Sequence, residues 1–452
     1  MKIHFIAIGG SAMHNLALEL SALGHEVTGS DDHIFEPSKS RLNAAGLLPP
    51  SEGWDPSKIT TDLDAVILGM HAHPDNPELE RVQEMGIKLY SYPEFLYSQS
   101  QNKTRVVIAG SHGKTTITSM ILHVLGYHEL EADFMVGAQL AGFDRMVHIT
   151  PEAEFMLLEG DEYLSSPIDR RPKFLHYKPN VALISGIAWD HVNVFPTFED
   201  YLDQFRAFLM AMEVGGAVIY NEEDEHVKRL VEETPREIKR FPYRTPDYRV
   251  ENEQTVLETF MGDLPLSIFG KHNMNNLDGA RWICNQMGVT DEQFFEAIIS
   301  FEGASRRMEE MAENEDLVIY RDFAHAPSKV MATVKALKEQ YPDREVVAAL
   351  ELHTYSSLQT KFMPEYKGSL DAADRALLYF NPAAVAAKRL PEISESQVKT
   401  AFGNDDIEVF SDATELFDQL DEPFDGKAVV LLMSSGNFND IDLPEWAKKR
   451  VQ

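Results

Sequence analysis

The run Gly110-Ser111-His112-Gly113-Lys114-Thr115-Thr116 sets two glycines, a lysine and two adjacent hydroxyls between an apolar stretch and a helical pattern over residues 117–125. In such a turn, glycines let backbone N–H groups wrap phosphate oxygens. The lysine reaches the β- and γ-phosphates, and the threonine hydroxyl meets Mg²⁺. Full Walker A spacing would place a glycine where the chain has Ile108, so this is the shorter G-x-x-G-K-T form. It predicts an ATP-phosphate site.

Other residues could serve the same chemistry. Glu159 closes the apolar run 155–158, where a strand-end carboxylate can hold a metal beside the loop. His191, in Trp189-Asp190-His191, follows the next apolar run, and a neutral imidazole there can be a second ligand. Asn273 and Asn276 lie three apart after Gly270-Lys271-His272, on one face of a first helical turn, and offer amide donors and acceptors to a nucleotide. Capping of that helix by Asn273 is the plainer alternative. Arg306-Arg307 could set a guanidinium against a transferring phosphoryl group, and Asp322, after another apolar run, could accept ribose hydroxyls. Near the start, Gly9, Gly10 and Ser11, with Ser30 and Asp31 further on, form a partial dinucleotide fingerprint. Ala7 and Ala12 break it, which favours a nucleotide diphosphate at a helix N-terminus over NAD. His71 and His73 fall in a Pro-rich loop and predict no metal pair.

These groups need a parallel sheet to position them. Residues 3–8 predict a buried strand, Met13, Leu16, Ala17, Leu20 and Leu23 the inner face of a helix, and residues 65–68 a further strand. The polar stretch 99–103 predicts a linker. Beyond it, apolar runs at 105–109, 155–158, 181–184 and 217–220 alternate with helices, one carrying Tyr201, Leu202, Phe205, Phe208, Leu209 and Met212. A second boundary falls near 301–307, followed by strands at 317–320, 346–352, 376–380 and 428–433. The expectation is a three-domain α/β chain, with boundaries at 1–101, 102–303 and 304–452. Ligand contacts are expected on loops after strands of the last domain, at His353, Tyr355, Ser435 and Asn437.

A formal charge of -32, from 73 acidic against 41 basic residues in 452, argues against a nucleic-acid partner. The acidic clusters 222–225, 309–316 and 405–408 predict solvated loops and helix faces. The single Cys284 cannot form an intramolecular disulfide and predicts a core thiol. No stretch approaches 18 apolar residues, and the run 3–8 is too short for a signal segment, so a cytoplasmic location is expected.

The order G-x-x-G-K-T, acidic strand end, D-H, G-x-H-N-x-x-N, F-x-G-x-x-R-R, D-x-A-H resembles the Mur ligases of peptidoglycan synthesis from end to end. The resemblance implies a Rossmann-like UDP-binding domain, a central P-loop ATPase-type domain and a Rossmann-like C-terminal domain that receives the amine. It implies ATP and Mg²⁺ as cofactors, with ATP held by residues 110–116 and by Asn273, Asn276 and Asp322. Thr115, Glu159 and His191 would hold the metal. Lys114, His191 and Arg307 would be the catalytic group. Gly9, Gly10, Ser11, Ser30 and Asp31 would take the UDP-sugar. Within the family, the runs Gly29-Ser30-Asp31, Glu159-Gly160-Asp161-Glu162-Tyr163, residues 173–179 and residues 433–438 are most like the branch that attaches L-alanyl-γ-D-glutamyl-meso-diaminopimelate to UDP-N-acetylmuramate. The alanine-adding branch is the runner-up. Departures from the family pattern stand at Ala7, Ala12, His14, Asn15, Arg321 and Ala326, and residues 205–212 contain no lysine for carbamylation. An NAD-dependent oxidoreductase and a nucleotide-switch protein are the alternatives from other classes.

Overall fold

The computed structural model describes all residues except 138–142, 144, 193, 305 and 306, so Arg306 lies outside the described residues. The described chain divides into two compact units. One comprises Met1–Ile187, Glu199–Tyr243 and Gly279–Thr290; the other comprises Ala188–Phe198, Arg244–Asp278 and Asp291–Gln452.

The first unit holds two sheets. Strands β1 (Lys2–Ile6), β2 (Glu26–Ser30), β3 (Ala65–Leu68) and β4 (Leu89–Ser91) form an all-parallel sheet in the order β2-β1-β3-β4. The seven-stranded sheet contains β5 (Thr104–Ala109), β6 (Asp133–Met135), β7 (Val147–His148), β8 (Phe155–Gly160), β9 (Val181–Ile184), β10 (Ala217–Asn221) and β11 (Lys239–Tyr243), in the order β11-β10-β9-β5-β8-β6-β7. Only the β6–β7 pair is antiparallel. Central β5 is covered on both faces, with Val106, Val107, Ile108 and Ala109 fully buried, as expected of a parallel strand between helical layers.

In the second unit, β12 (Tyr248–Glu251), β13 (Gln254–Thr259) and β14 (Gly262–Leu266) form a small antiparallel sheet. The larger sheet contains β15 (Glu309–Glu313), β16 (Leu317–Asp322), β17 (Glu345–Leu352), β18 (Arg375–Phe380), β19 (Glu408–Phe410) and β20 (Ala428–Met433), in the order β15-β16-β20-β17-β18-β19. Its side chains alternate between two cores. Val318, Tyr320, Val346, Ala348 and Leu350 pack with Val330, Val334 and Leu337, whereas Leu317, Ile319, Val347 and Ala349 pack with Leu416 and Phe417.

The three-domain α/β class is the observed one, with several local corrections. The first strand stops at Ile6 because Ala7 takes a left-handed φ of 68°. Leu23 is not on the inner face of its helix but caps it, 43% exposed. Glu159 lies inside β8 rather than after it. The acidic stretch at 309 is an edge strand antiparallel to β16, and Arg321 pairs across that ladder with Glu309 at 2.8 Å. The β12–β13 hairpin was not legible because its turn residues, Asn252 and Glu253, both take positive φ without glycine. Cys284 is fully buried, as expected, and burial pushes its thiol well up. No helix among the described residues is long and apolar enough to cross a membrane.

Candidate active site

The loop after β5 is shaped by backbone requirements. Gly110 has φ 131°, and a Cβ there would lie 2.2 Å from Ser185 Oγ. Gly113, at φ 80°, is the N-cap of the helix Lys114–Tyr127, so Lys114, Thr115 and Thr116 open that helix. Ser111 N donates to the Gly186 carbonyl at 2.9 Å, and Ser185 Oγ donates to the His112 carbonyl. A Cβ on Gly186 would sit 2.5 Å from the His112 ring, so that ring lies flush on the Gly186 backbone.

Lys114 Nζ donates to the Gly110 carbonyl at 2.6 Å and to Glu162 Oε2 at 2.7 Å. The other carboxylate oxygen of Glu162 accepts from Tyr201 OH at 2.8 Å, and that hydroxyl also meets Ser111 Oγ at 2.8 Å. Burial alone would depress the lysine, but Glu162, Asp161 and Glu159 outweigh it and raise the ammonium above its ordinary range. Glu162 and Tyr201 were missed as site residues. The sequence marks Tyr201 only as part of an apolar helix face, and nothing local in it joins that residue to Ser111.

Glu159, 6% exposed, accepts from Gly137 N at 2.8 Å through Oε2. The carbonyl of the same Gly137 accepts from Ser11 Oγ at 3.3 Å. The backbone N–H and carbonyl of one residue thus link the N-terminal glycine turn to the acid beside the lysine loop. In that turn, Gly9 N donates to Asp31 Oδ2 at 2.7 Å, and Lys58 Nζ donates to Ser30 Oγ at 2.8 Å. The departures His14 and Asn15 form a buried network. His14 Nδ1 bonds the Gly10 carbonyl and Ser38 Oγ, each at 3.0 Å, and Arg41 Nη1 donates to Asn15 Oδ1 at 2.8 Å.

Asp31 is 5% exposed, and burial pushes its carboxyl up to about 6, against the Gly9 N–H, which favours the anion. A carboxyl raised on folding stabilises the fold below pH ~4 and loses that contribution as the pH rises toward 6. Asp31→Asn keeps an oxygen for Gly9 but cannot titrate. Its urea midpoint, measured against the native chain, is expected to rise between pH 4 and 7 by the equivalent of at most ~2 kcal/mol. A difference that stays flat over that range would remove this assignment.

The second unit carries the remaining residues. His191, at φ 54°, donates its backbone N–H to Asp190 Oδ1 at 2.7 Å, and Lys329 Nζ stands 3.7 Å from Asp190 Oδ2. Burial opposes ionisation of Asp190, yet Lys329, His191 and His325 hold it down at about 2. His325 is lowered to about 4, chiefly by burial and then by Lys329. Asp322 accepts Met308 N at 2.7 Å and Ala324 N at 2.6 Å, while the Arg307 guanidinium lies 4.9 Å from the Phe323 ring centre. Arg307 and Asp322 therefore share one corner. Asn273 and Asn276 lie on the helix Lys271–Gln286; Asn273 Nδ2 donates back to the Phe269 carbonyl at 2.9 Å, so it is not the cap.

The loops after β16, β17 and β20 converge. Glu351, 3% exposed, receives Ser434 Oγ and, at 2.9 Å, Phe438 N. His353 Nδ1 lies 3.6 Å from Glu351 Oε1. Asn437 Nδ2 donates to Asp440 at 2.6 Å, Ser435 Oγ is buried without a hydrogen-bond partner, and Tyr355 is 44% exposed. A cavity of about 190 Å³ beside these loops is lined by Arg321, Asp322, Ser434, Gly436, Asn437 and Asp442. Glu351, the anchor of this group, was also missed. His71 and His73 belong to no three-residue ligand cluster among the described residues.

Three family descriptions match successive parts of the chain: "Mur ligase family, catalytic domain" over residues 2–104, "Mur ligase middle domain" over 108–283, and "Mur ligase, glutamate ligase domain" over 306–436. The UDP-N-acetylmuramate–L-alanyl-γ-D-glutamyl-meso-2,6-diaminoheptandioate ligase of Escherichia coli K12 is 28% identical, covering 98% of this chain and 96% of its own. The UDP-N-acetylmuramate–L-alanine ligase of a Sulfurihydrogenibium species is 32% identical over 82% of this chain and 81% of its own. Among solved structures, a murein peptide ligase from Psychrobacter arcticus has a TM-score of 0.66 at 23% identity, covering 100% of this chain and 98% of its own. The UDP-N-acetylmuramate–alanine ligase from Thermotoga maritima has a TM-score of 0.71 at 19% identity with the same coverage. Both structural likenesses show the fold.

Proposed function

We propose, for a chain that belongs to the Mur ligase family, that it joins L-alanyl-γ-D-glutamyl-meso-diaminopimelate to UDP-N-acetylmuramate and converts ATP to ADP and phosphate. The observation that carries the tripeptide reading is the run Met433-Ser434-Ser435-Gly436-Asn437-Phe438 at the end of β20, alongside the 28% identity to the Escherichia coli tripeptide ligase over 98% of this chain.

The γ-phosphoryl group passes to the lactyl carboxylate, giving an acyl phosphate and ADP. The neutral amine attacks the acyl carbon. The tetrahedral intermediate then collapses: the C–N bond is kept, the C–O bond to phosphate breaks, and the nitrogen loses its proton. Lys114 balances charge on the phosphoryl oxygens, and the N–H groups of residues 110–116 cradle the phosphates. Arg307, Asn273, Asn276 and Asp322 are assigned to the nucleotide and His191 to the catalytic group by the family resemblance. Gly9, Gly10 and Ser11 offer N–H groups to the UDP diphosphate, and Ser30 and Asp31 support that turn. His353, Tyr355, Ser435 and Asn437 face the amine substrate. In domain terms, residues 1–101 take the UDP-sugar, 102–303 take ATP and 304–452 take the amine. The reaction belongs in the cytoplasm.

The donor set fits Mg²⁺. Thr115 and Glu159 supply hard oxygens, and Glu159 stands in register with Ile108 on neighbouring β5, two residues ahead of Gly110. Those two residues would hold the ion, which when bound neutralises charge on the phosphate oxygens.

A second reading, addition of L-alanine, is favoured by the 32% identity to the Sulfurihydrogenibium L-alanine ligase. A panel of amines with UDP-N-acetylmuramate and ATP, read by ADP release, decides between them. The tripeptide is expected to exceed L-alanine in kcat/KM by about tenfold or more, a difference of about 1.4 kcal/mol in transition-state binding. The reverse order would replace the tripeptide assignment.

A further inference from the structure

We propose that Glu94, Asp169 and His176 form a binding site for a divalent transition-metal ion of the Zn²⁺ class. The three residues bring one donor atom each within 4.8 Å of the others, all within the first unit.

Each residue has an atom to give. Glu94 closes the capping box of the helix Tyr92–Gln99, but its Oε2 makes those bonds, to Ser91 N at 2.8 Å and Ser91 Oγ at 2.7 Å. Its Oε1 is left over for an ion; its 4.0 Å approach to His176 is to Nδ1, the ring nitrogen other than the one beside Asp169. Asp169 is fixed by its own N–H, which donates to Ser166 Oγ at 3.0 Å. His176 ends the 3₁₀ turn Lys173–His176 and is only 8% exposed. Its Nε2 is buried and makes no hydrogen bond among the described residues, yet stands 3.4 Å from Asp169 Oδ2. Two donors about 2.0–2.2 Å from one tetrahedral ion are separated by roughly 3.3–3.6 Å. That pair therefore already has the edge length of a coordination tetrahedron.

Burial holds the imidazole below its ordinary value, in the neutral form that ligates metals. The mixed imidazole and carboxylate set selects Zn²⁺, Co²⁺ or Ni²⁺ over Mg²⁺. A cation already competes: Arg171 donates to Asp169 from Nε at 3.0 Å and Nη2 at 2.6 Å, with Nη2 3.8 Å from Glu94. Its side chain is 62% exposed, so it can leave for water when the ion enters. An ion here would clip the helix Tyr92–Gln99 to the segment 160–176, whose first turn carries Asp161 and Glu162 beside Lys114.

The test uses the full chain and Co²⁺, whose tetrahedral complexes absorb strongly in the visible. The native protein is expected to develop that absorption and lose it on addition of Zn²⁺. His176→Gln is expected to bind one equivalent fewer while keeping its circular dichroism and ligation rate. Arg171→Gln is expected to bind about threefold to fivefold tighter, having lost one exposed competing ion pair. If His176→Gln misfolds, Asp169→Asn must show the same missing equivalent. Equal Co²⁺ stoichiometry and spectra in the native chain and the folded variant would overturn the site, as would absence of the visible band in the native chain.

Discussion

Lys114→Ala is expected to lower the ligation rate by about 10²- to 10³-fold, the effect of losing one preorganised donor at developing charge, or about 3 to 4 kcal/mol. The lysine sits where the loop and helix place it, held by the Gly110 carbonyl and Glu162. Its ammonium is raised above an ordinary value of 10.5, so its contribution to stability is complete below that pH and is lost only as the pH climbs through the folded value. The loss of rate should therefore be the same across pH 6 to 9. Single-turnover ADP formation with UDP-N-acetylmuramate and saturating tripeptide measures it, with circular dichroism as the check on folding. Near-native turnover in a folded variant would remove Lys114 from the phosphate site.

The second large effect is expected at Glu162, which is 1% exposed and bridges Lys114 and Tyr201. Glu162→Gln keeps the shape but leaves a mostly buried ammonium without its nearest anion, at a cost of about 3 kcal/mol in stability. The rate should also fall, by about tenfold, because Lys114 loses the partner that orients it. A double variant with Lys114→Met separates a specific pair from general damage. If the two side chains act as a pair, the double variant is less destabilised than the sum of the singles by more than ~1 kcal/mol. Additivity within about 0.5 kcal/mol would show that they are independent.

Features that depend on neighbours along the chain are legible in the amino-acid order alone. The phosphate-loop pattern of residues 110–116 is legible because its glycines, lysine and hydroxyls are consecutive along the chain. The apolar runs at 105–109 and 181–184 announce strands because a parallel strand buried on both faces must be apolar throughout. Only the tertiary structure decided what joins distant segments. The chain Lys114, Glu162, Tyr201, Ser111 links residues up to 90 positions apart. Gly137 couples Ser11 to Glu159 through its backbone carbonyl and N–H, which no side-chain pattern could reveal. Glu351 gathers the loop after β20 from 83 positions away. A single chain states which groups it carries and how they recur along it. Which buried carboxylate meets which donor is set by how the strands order themselves in a sheet, since burial makes an unsatisfied partner costly and so selects the pairing.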